Sequence, residues 1–469
     1  MSKPPTAEAR PPQSDGANLP VGKFLDAQFH SPEIAALFGQ ERQIAHMLAF
    51  EGALARAQGD LGLIPTEAGQ AIAALCADRK TIARIDLSAA RLAGNPAIPF
   101  VKQLTAQVRE QDTQAAAWVH YGATSQDVID TATMLSLRET FTVIDRDLAQ
   151  LRESIAALAQ AHTRTPMIAR TLLQHAAATT FGYKLAAALG GLDQSAARMI
   201  DMRRTHFCLQ LGGPVGTLST AGPLAAQLVR DVSKRLGLQP AEICWHTNRV
   251  RIAECGTALA ILAGHLGKIA HDIALQMQSD VGELAEAPAP GKGGSSAMPH
   301  KHNPVDSVAA SAAAIITPNL AATLLAAMVQ EHERAAGAWH AEWIALPQLC
   351  SLAHGAVIAV TAAFRGLRVD AQRMRANLDA ALELIGASAV AEALAPTMGR
   401  DVAHDTVQGW TRIALTKQQP LREIVTQELR DSASTLSAEE IEQLFSIERS
   451  IAAAEMAARH YLEQRNGKN

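Results

Sequence analysis

Aromatic residues make up only 4% of this 469-residue chain. That scarcity, beside abundant alanine, favours helices packed closely together over sheet. Cysteine is also sparse. The five present (Cys76, Cys208, Cys244, Cys255, Cys350) are odd in number, scattered and without C-x-x-C spacing, so they are expected to be buried thiols in a reducing compartment. A net charge of −4 supplies no basic footprint and so argues against nucleic acid or an anionic membrane as partner. Residues 1–21 have no apolar core of a signal peptide and are expected to form a disordered lead. Charges interrupt the apolar runs too often, on this reading, for a bilayer span. The composition describes a soluble cytoplasmic protein.

What is present is long helical periodicity. Met134, Leu137, Phe141, Ile144, Leu148, Leu151, Ile155 and Leu158 follow steps of three and four, as do Ile252, Cys255, Leu259, Leu262, Leu266, Ile269 and Ile273. Each seam covers more than 20 residues, so each helix extends at least ~30 Å. A third stretch, Val305 to about Arg334, contains Pro318, which should kink it. The fold class is all-α: a long central helical bundle flanked by two smaller helical domains. The divisions fall at 22–112, 113–365 and 366–469. Apolar stripes on several faces of long helices need partners, which points to a bundle shared between subunits.

Several familiar chemical signatures fail. In the Gly/Ser-rich run from Gly291 to Pro304, Glu286 stands where a P-loop needs its first glycine. Ser296 breaks a dinucleotide G-x-G-x-x-G, and Ala297 breaks a G-x-S-x-G nucleophile elbow. His332 and His340 lack H-E-x-x-H spacing, so neither a metal nor another cofactor is expected. The run itself, Gly-Lys-Gly-Gly-Ser295-Ser296-Ala-Met298-Pro-His300-Lys301-His302-Asn303-Pro, suits a loop that closes over a small anion. Lys301 and Asn303 supply donors for carboxylate oxygens, and Ser295 or Ser296 supplies a hydroxyl for proton transfer. Upstream, Thr124, Ser125 and Gln126 place donors at a helix start, where an anion is favoured. Arg334 carries a bidentate fork for a carboxylate.

The 294–303 run matches G-S-S-x-M-P-x-K-x-N, the signature loop of the fumarase/aspartase superfamily, and residues 122–131 match its G-x-T-S-x-D-x-x-D-T segment. Ala169-Arg170-Thr171-Leu172-Leu173-Gln174-His175-Ala176 resembles the superfamily's R-T-H-x-Q-x-A, with Leu172 in place of the histidine. Glu331-His332-Glu333-Arg334 and Trp339-His340-Ala341-Glu342-Trp343 look like the corresponding strings of 3-carboxy-cis,cis-muconate cycloisomerases, as does Asn95-Pro96-Ala97-Ile98-Pro99. Gly399-Arg400-Asp401-Val402-Ala403-His404 is similar to the C-terminal motif of adenylosuccinate-lyase-type relatives. The resemblance spans roughly residues 22 to 465.

This resemblance implies a set of roles. Ser295 is the catalytic hydroxyl and Lys301 the cation beside it. Asn95, Thr124, Ser125, Gln126, Gln174, Ser296, Met298, Asn303 and Arg334 are implied to bind a small polycarboxylate, in sites shared across a homotetramer. The departure at Leu172 bears on the reaction. The superfamily's lyases are credited with using the histidine to help water, ammonia or an amine leave, and leucine cannot ionise. In a muconolactone the leaving group is the substrate's own carboxylate, with a reference pKa of about 4, which needs no proton donor. The implied activity is therefore closure of 3-carboxy-cis,cis-muconate to 4-carboxymuconolactone. An adenylosuccinate- or argininosuccinate-type lyase is the competing reading. His302, in place of the usual arginine, alters a neighbouring charge, and His120 and His300 are further proton-transfer candidates.

Overall fold

The computed structural model describes residues 25–431 and 436–467, so the expected lead at 1–21 lies outside the described residues. Helices dominate: α1 (Gln40–Asp60), α2 (Thr66–Ala77), α3 (Ala97–Gln111) and the 37-residue α4 (Ser125–Ala161) come first. A hairpin of β1 (Pro166–Thr171) and β2 (Gln174–Thr180) follows, then α5 (Phe181–Thr205), α6 (Ala225–Leu236) and α7 (Val250–Gln276). The short β3 (Leu284–Ala285) leads to α8 (Val305–Ala326) and α9 (Ala338–Phe364). Next come β4 (Arg368–Val369) and α10 (Ala371–Ile385), then further helices to Asn466.

The expected seams are buried. Met134, Leu137, Phe141, Ile144, Leu148, Leu151 and Ile155 are fully enclosed on α4, and so are Cys255, Leu259, Leu262 and Leu266 on α7. Each such leucine or isoleucine contributes about 1.5–3 kcal/mol by leaving water. Pro318 lies inside α8 without interrupting it, and the helix stops at Ala326, short of the expected Arg334.

Contacts divide the chain into two compact units, each built from three stretches. Among the described residues, one comprises 25–145, 198–263 and 315–355; the other comprises 146–197, 264–314 and 356–467 without 432–435. In the first, α1 packs on α2 and α6, and a core of Phe50, Leu54, Ile72, Phe100 and Leu104 lies within it. In the second, α7 and α8 approach so closely that a Cβ on Gly267 would lie 2.3 Å from the Ala314 Cβ. Glycine is what permits that approach.

Two points depart from the sequence reading. Within the 113–365 region expected as a long-helix bundle, the 166–180 segment is an antiparallel hairpin. Thr171 pairs with Gln174, and Leu172 and Leu173 form the two-residue turn with φ of 50° and 65°. Its strands lie on α10, with Ile168 sharing a core with Leu378 and Ala381. No Asn-Gly or Asp-Gly pair marks this turn, so the usual hairpin signal is missing. Secondly, α7, α8 and α9 are long and apolar enough to cross a membrane by length and composition, with mean hydropathies of 1.3, 1.7 and 1.6. Charges therefore do not interrupt every apolar run. Only 28% of the apolar window of α8 is buried in this chain, against 67% for α9.

Candidate active site

The first group of expected site residues gathers where α4 begins. The Thr124 backbone N–H donates to Asp127 Oδ2 at 3.0 Å, closing the helix start. Asp127 also accepts from the Gly212 and Gly213 N–H groups at 3.0 and 2.9 Å and from His246 Nε2 at 2.7 Å. Thr124 Oγ1 accepts from Arg334 Nη1 at 3.0 Å, so two expected residues 210 apart in sequence meet. Arg334 Nη2 donates to the Pro214 carbonyl at 3.1 Å. Asn95 caps α3: its Oδ1 accepts from the Ala97 and Ile98 N–H groups at 3.0 and 3.3 Å, leaving its NH2 for another acceptor. Ser125 is half-buried at the first position of α4.

Gln126 differs from expectation. It is wholly buried, and its NH2 donates to the His246 carbonyl at 2.7 Å and to Asp130 Oδ2 at 3.1 Å. It holds the segment in place instead of presenting a donor to solvent.

Beneath this surface lies an ionic network that sequence reading missed. Arg249 is fully buried and forks onto Asp130 at 2.7 and 3.1 Å and onto Glu342 at 2.9 and 2.5 Å. Trp339 Nε1 donates to Asp130 Oδ1 at 2.9 Å. The Trp339–Trp343 string, read as a family marker, therefore supplies one partner of the buried guanidinium, Glu342, and a donor, Trp339, to its other carboxylate. Burial works against the charge on Arg249, but Asp130 and Glu342 outweigh it and hold its pKa up. Burial pushes the Glu342 carboxyl up, against the pull of Arg249. For His246, burial favours the neutral ring, but the bond it donates to Asp127, with Cys244 nearby adding to the same side, prevails and pushes its pKa up to about 9. The string Trp245-His246-Thr247-Asn248-Arg249 carried no recognisable ligand or triad spacing, so nothing in it signalled these partners.

The second group occupies the glycine-rich loop and the hairpin. Ser295 Oγ accepts from the Met298 N–H at 3.1 Å and the Ala297 N–H at 3.4 Å. Two amide dipoles aimed at one hydroxyl oxygen favour negative charge there. The loop closes on itself: the Asn303 N–H donates to the Gly293 carbonyl at 2.8 Å, and the Lys301 N–H donates to the Met298 carbonyl at 3.0 Å. A Cβ on Gly293, at φ 69°, would fall 2.7 Å from the Asn303 carbonyl oxygen. Only glycine fits that position.

Lys292 staples the loop base, 2.5 Å from Asp306 and 3.4 Å from Glu286. Burial opposes the Lys292 charge, and the bond to Asp306 overrides it to raise the pKa. Glu286 in turn accepts from the Ser307 N–H at 2.9 Å, near the positive end of α8. Ser296, Met298 and Lys301 are exposed, and Ser295 and Asn303 are half-buried. On the hairpin, Leu172 is 97% exposed at the turn, and Gln174 and His175 beside it are also exposed. Arg170 instead turns to Glu283, at 3.0 and 2.7 Å. Asn95, Thr124, Ser125, Gln126 and Arg334 thus belong to the first unit, and Gln174, Ser295, Ser296, Met298, Lys301 and Asn303 to the second. Among the described residues no group of three or more His, Cys, Asp or Glu side chains is arranged to hold a metal.

A helical chain with an anion-capping α4 and a hydroxyl-bearing glycine loop matches a family model described as lyase over residues 27–315. The chain belongs to that lyase family, within the fumarase/aspartase superfamily. It is 47% identical over 426 residues, 91% of this chain and 94% of the other, to the 3-carboxy-cis,cis-muconate cycloisomerase of Bradyrhizobium diazoefficiens. It is 42% identical to the enzyme of that name from Pseudomonas aeruginosa, covering 91% of this chain and 93% of that one. The crystal structure of 3-carboxy-cis,cis-muconate lactonizing enzyme from Pseudomonas putida superposes with a TM-score of 0.86 at 40% identity, covering 95% of this chain and 99% of that one.

Proposed function

We propose that this chain is an intramolecular lyase that closes 3-carboxy-cis,cis-muconate to 4-carboxymuconolactone, a step in aromatic-acid degradation by way of β-ketoadipate. One observation carries the reading: four curated relatives bearing that activity in their names are 38–47% identical over 87–91% of this chain. Leu172 agrees with it chemically, because a non-ionisable residue suits a reaction whose leaving group is already a weak base.

In the lactonising direction one substrate carboxylate oxygen forms the new C–O bond. The π pair moves to the neighbouring carbon and into its carboxylate as an aci-carboxylate. Ser295 Oγ–H, or water held by it, then delivers the proton to that carbon. Lys301 and Asn303 face the extra charge of the intermediate. Thr124, Ser125, Asn95, Gln174, Ser296, Met298 and Arg334 bind and orient the polycarboxylate. The chain works as a cytoplasmic homotetramer with sites shared between subunits. The uncovered apolar residues of α8, Val308 (54%), Ile315 (73%) and Leu325 (50%) exposed, support packing against other copies of the chain over contact with lipid. The three-domain division at about 112 and 365 belongs to the same reading.

The test is spectroscopic. Pure protein added to 3-carboxymuconate should abolish the conjugated-diene absorbance with formation of one lactone, and adenylosuccinate should release no fumarate. Fumarate release without loss of the diene would replace this reading with the lyase one.

A further inference from the structure

One cysteine lies beside the group formed by Asp127 and Arg334. Cys244, in the segment joining α6 to α7, has backbone wrapped around its sulfur: a Cβ on Gly212 would lie 2.4 Å from Sγ, and one on Gly216 3.4 Å. Its thiol donates to Gln210 Oε1 at 3.4 Å. Cys244 is half-buried and follows the exposed Glu242 and Ile243, so a small reagent can reach it. The other thiols differ. Cys208, Cys255 and Cys350 are buried, and burial pushes the thiols of Cys76, Cys255 and Cys350 up, away from the reactive thiolate.

A second group points at the Cys244 sulfur. The His246 side chain is 4% exposed and donates from Nε2 to Asp127. Among the described residues its Nδ1 is buried without a hydrogen-bond partner, and Cys244 stands beside the ring. A ring protonated on both nitrogens needs an acceptor there. The neutral thiol, its hydrogen turned to Gln210, is a weak acceptor, whereas a thiolate is a strong one. Asp127, His246 and Cys244 thus follow one another in the order that activates a sulfur nucleophile. The turn around the sulfur also serves its neighbours: Gly212 and Gly213 donate to Asp127, and the Pro214 carbonyl accepts from Arg334.

We infer that Cys244 is a redox-modification site, oxidised by hydroperoxides to the sulfenic acid, and that the oxidised sulfur loosens the 212–216 turn from Asp127 and Arg334. The thiol proton goes to water and a sulfur electron pair forms the S–O bond. The peroxide O–O bond breaks, and the departing hydroxide takes a proton from solvent. Sulfur is oxidised by two electrons and the peroxide is reduced to water. On its Gly212 side the sulfur has no room for an added oxygen, since that face does not admit even a Cβ.

The inference is independent of the cycloisomerase reading, because labelling and hydrogen exchange test it without turnover. The full chain is treated with hydrogen peroxide in the presence of dimedone, which traps sulfenic acid, and its peptides are followed by mass spectrometry over time. Cys244 should be labelled at least about tenfold faster than any of the other four cysteines, and His246→Asn should slow that labelling about tenfold. Without dimedone, peroxide should speed amide hydrogen exchange across residues 212–216 in the wild type and leave it unchanged in Cys244→Ala. Even labelling of all five thiols, a Cys244 rate that His246→Asn does not alter, or exchange that peroxide does not change overturns the inference. Should His246→Asn fail to fold, the contrast among the five thiols and the exchange of wild type against Cys244→Ala decide it.

Discussion

Two side chains make separable claims at the level of single residues. Ser295 receives two backbone N–H groups at its oxygen, which fits a hydroxyl that passes through negative charge. Ser295→Ala should lower kcat by about 100- to 10,000-fold, the usual worth of a positioned proton-transfer group. Its circular dichroism should be unchanged, because the loop hydrogen bonds from Asn303 and Lys301 use backbone atoms. Full activity in that variant would move the proton to another group. His246 makes a claim about stability. Its folded-state pKa of about 9 lies above the ordinary imidazole value of 6.5. Its bond to Asp127 therefore stabilises the fold fully below about pH 6.5, and that contribution is lost as pH rises through about 9. Thermal denaturation from pH 6 to 10 should show wild-type stability falling across this window by about 1–3 kcal/mol more than that of His246→Asn. Parallel curves would remove the claim.

Single elements show where local and tertiary forces part. The two-leucine turn of the hairpin holds both residues at positive φ while exposing Leu172 at 97% and Leu173 at 75%. Left-handed backbone disfavours each by about 1–2 kcal/mol. Asn-Gly suits such a turn far better. The double variant Leu172→Asn, Leu173→Gly should therefore raise the melting temperature; a decrease would mean that the leucines are packed in the assembled protein. Helix α7 tests the opposite case. Gly267→Ala places a methyl 2.3 Å from the Ala314 Cβ and should destabilise by about 1–3 kcal/mol through overpacking, read in chemical denaturation. The α4 and α7 seams were legible because 3.6-residue periodicity persists over many turns and averages out local noise. The hairpin was not, because its strands are short, alanine-rich and without a turn signature.

For the whole molecule, the uncovered apolar face of α8 supports an assembly: sedimentation velocity should give a tetramer, and a monomer at working concentration would refute shared sites. The amino-acid sequence by itself determined the helical class, the two long seams, the glycine loop with Ser295 and the family, because each is written in contiguous residues or a regular period. Only the tertiary structure decided which polar groups are buried partners. It turned Gln126 inward and joined Arg334 to Thr124 across 210 positions. It also enclosed Arg249 between Asp130 and Glu342 and set Glu51 behind His120. Such pairings depend on where separate helices bring their side chains together. An isolated Arg, Glu or His reads the same in sequence whether folding leaves it in water or locks it against an opposite charge.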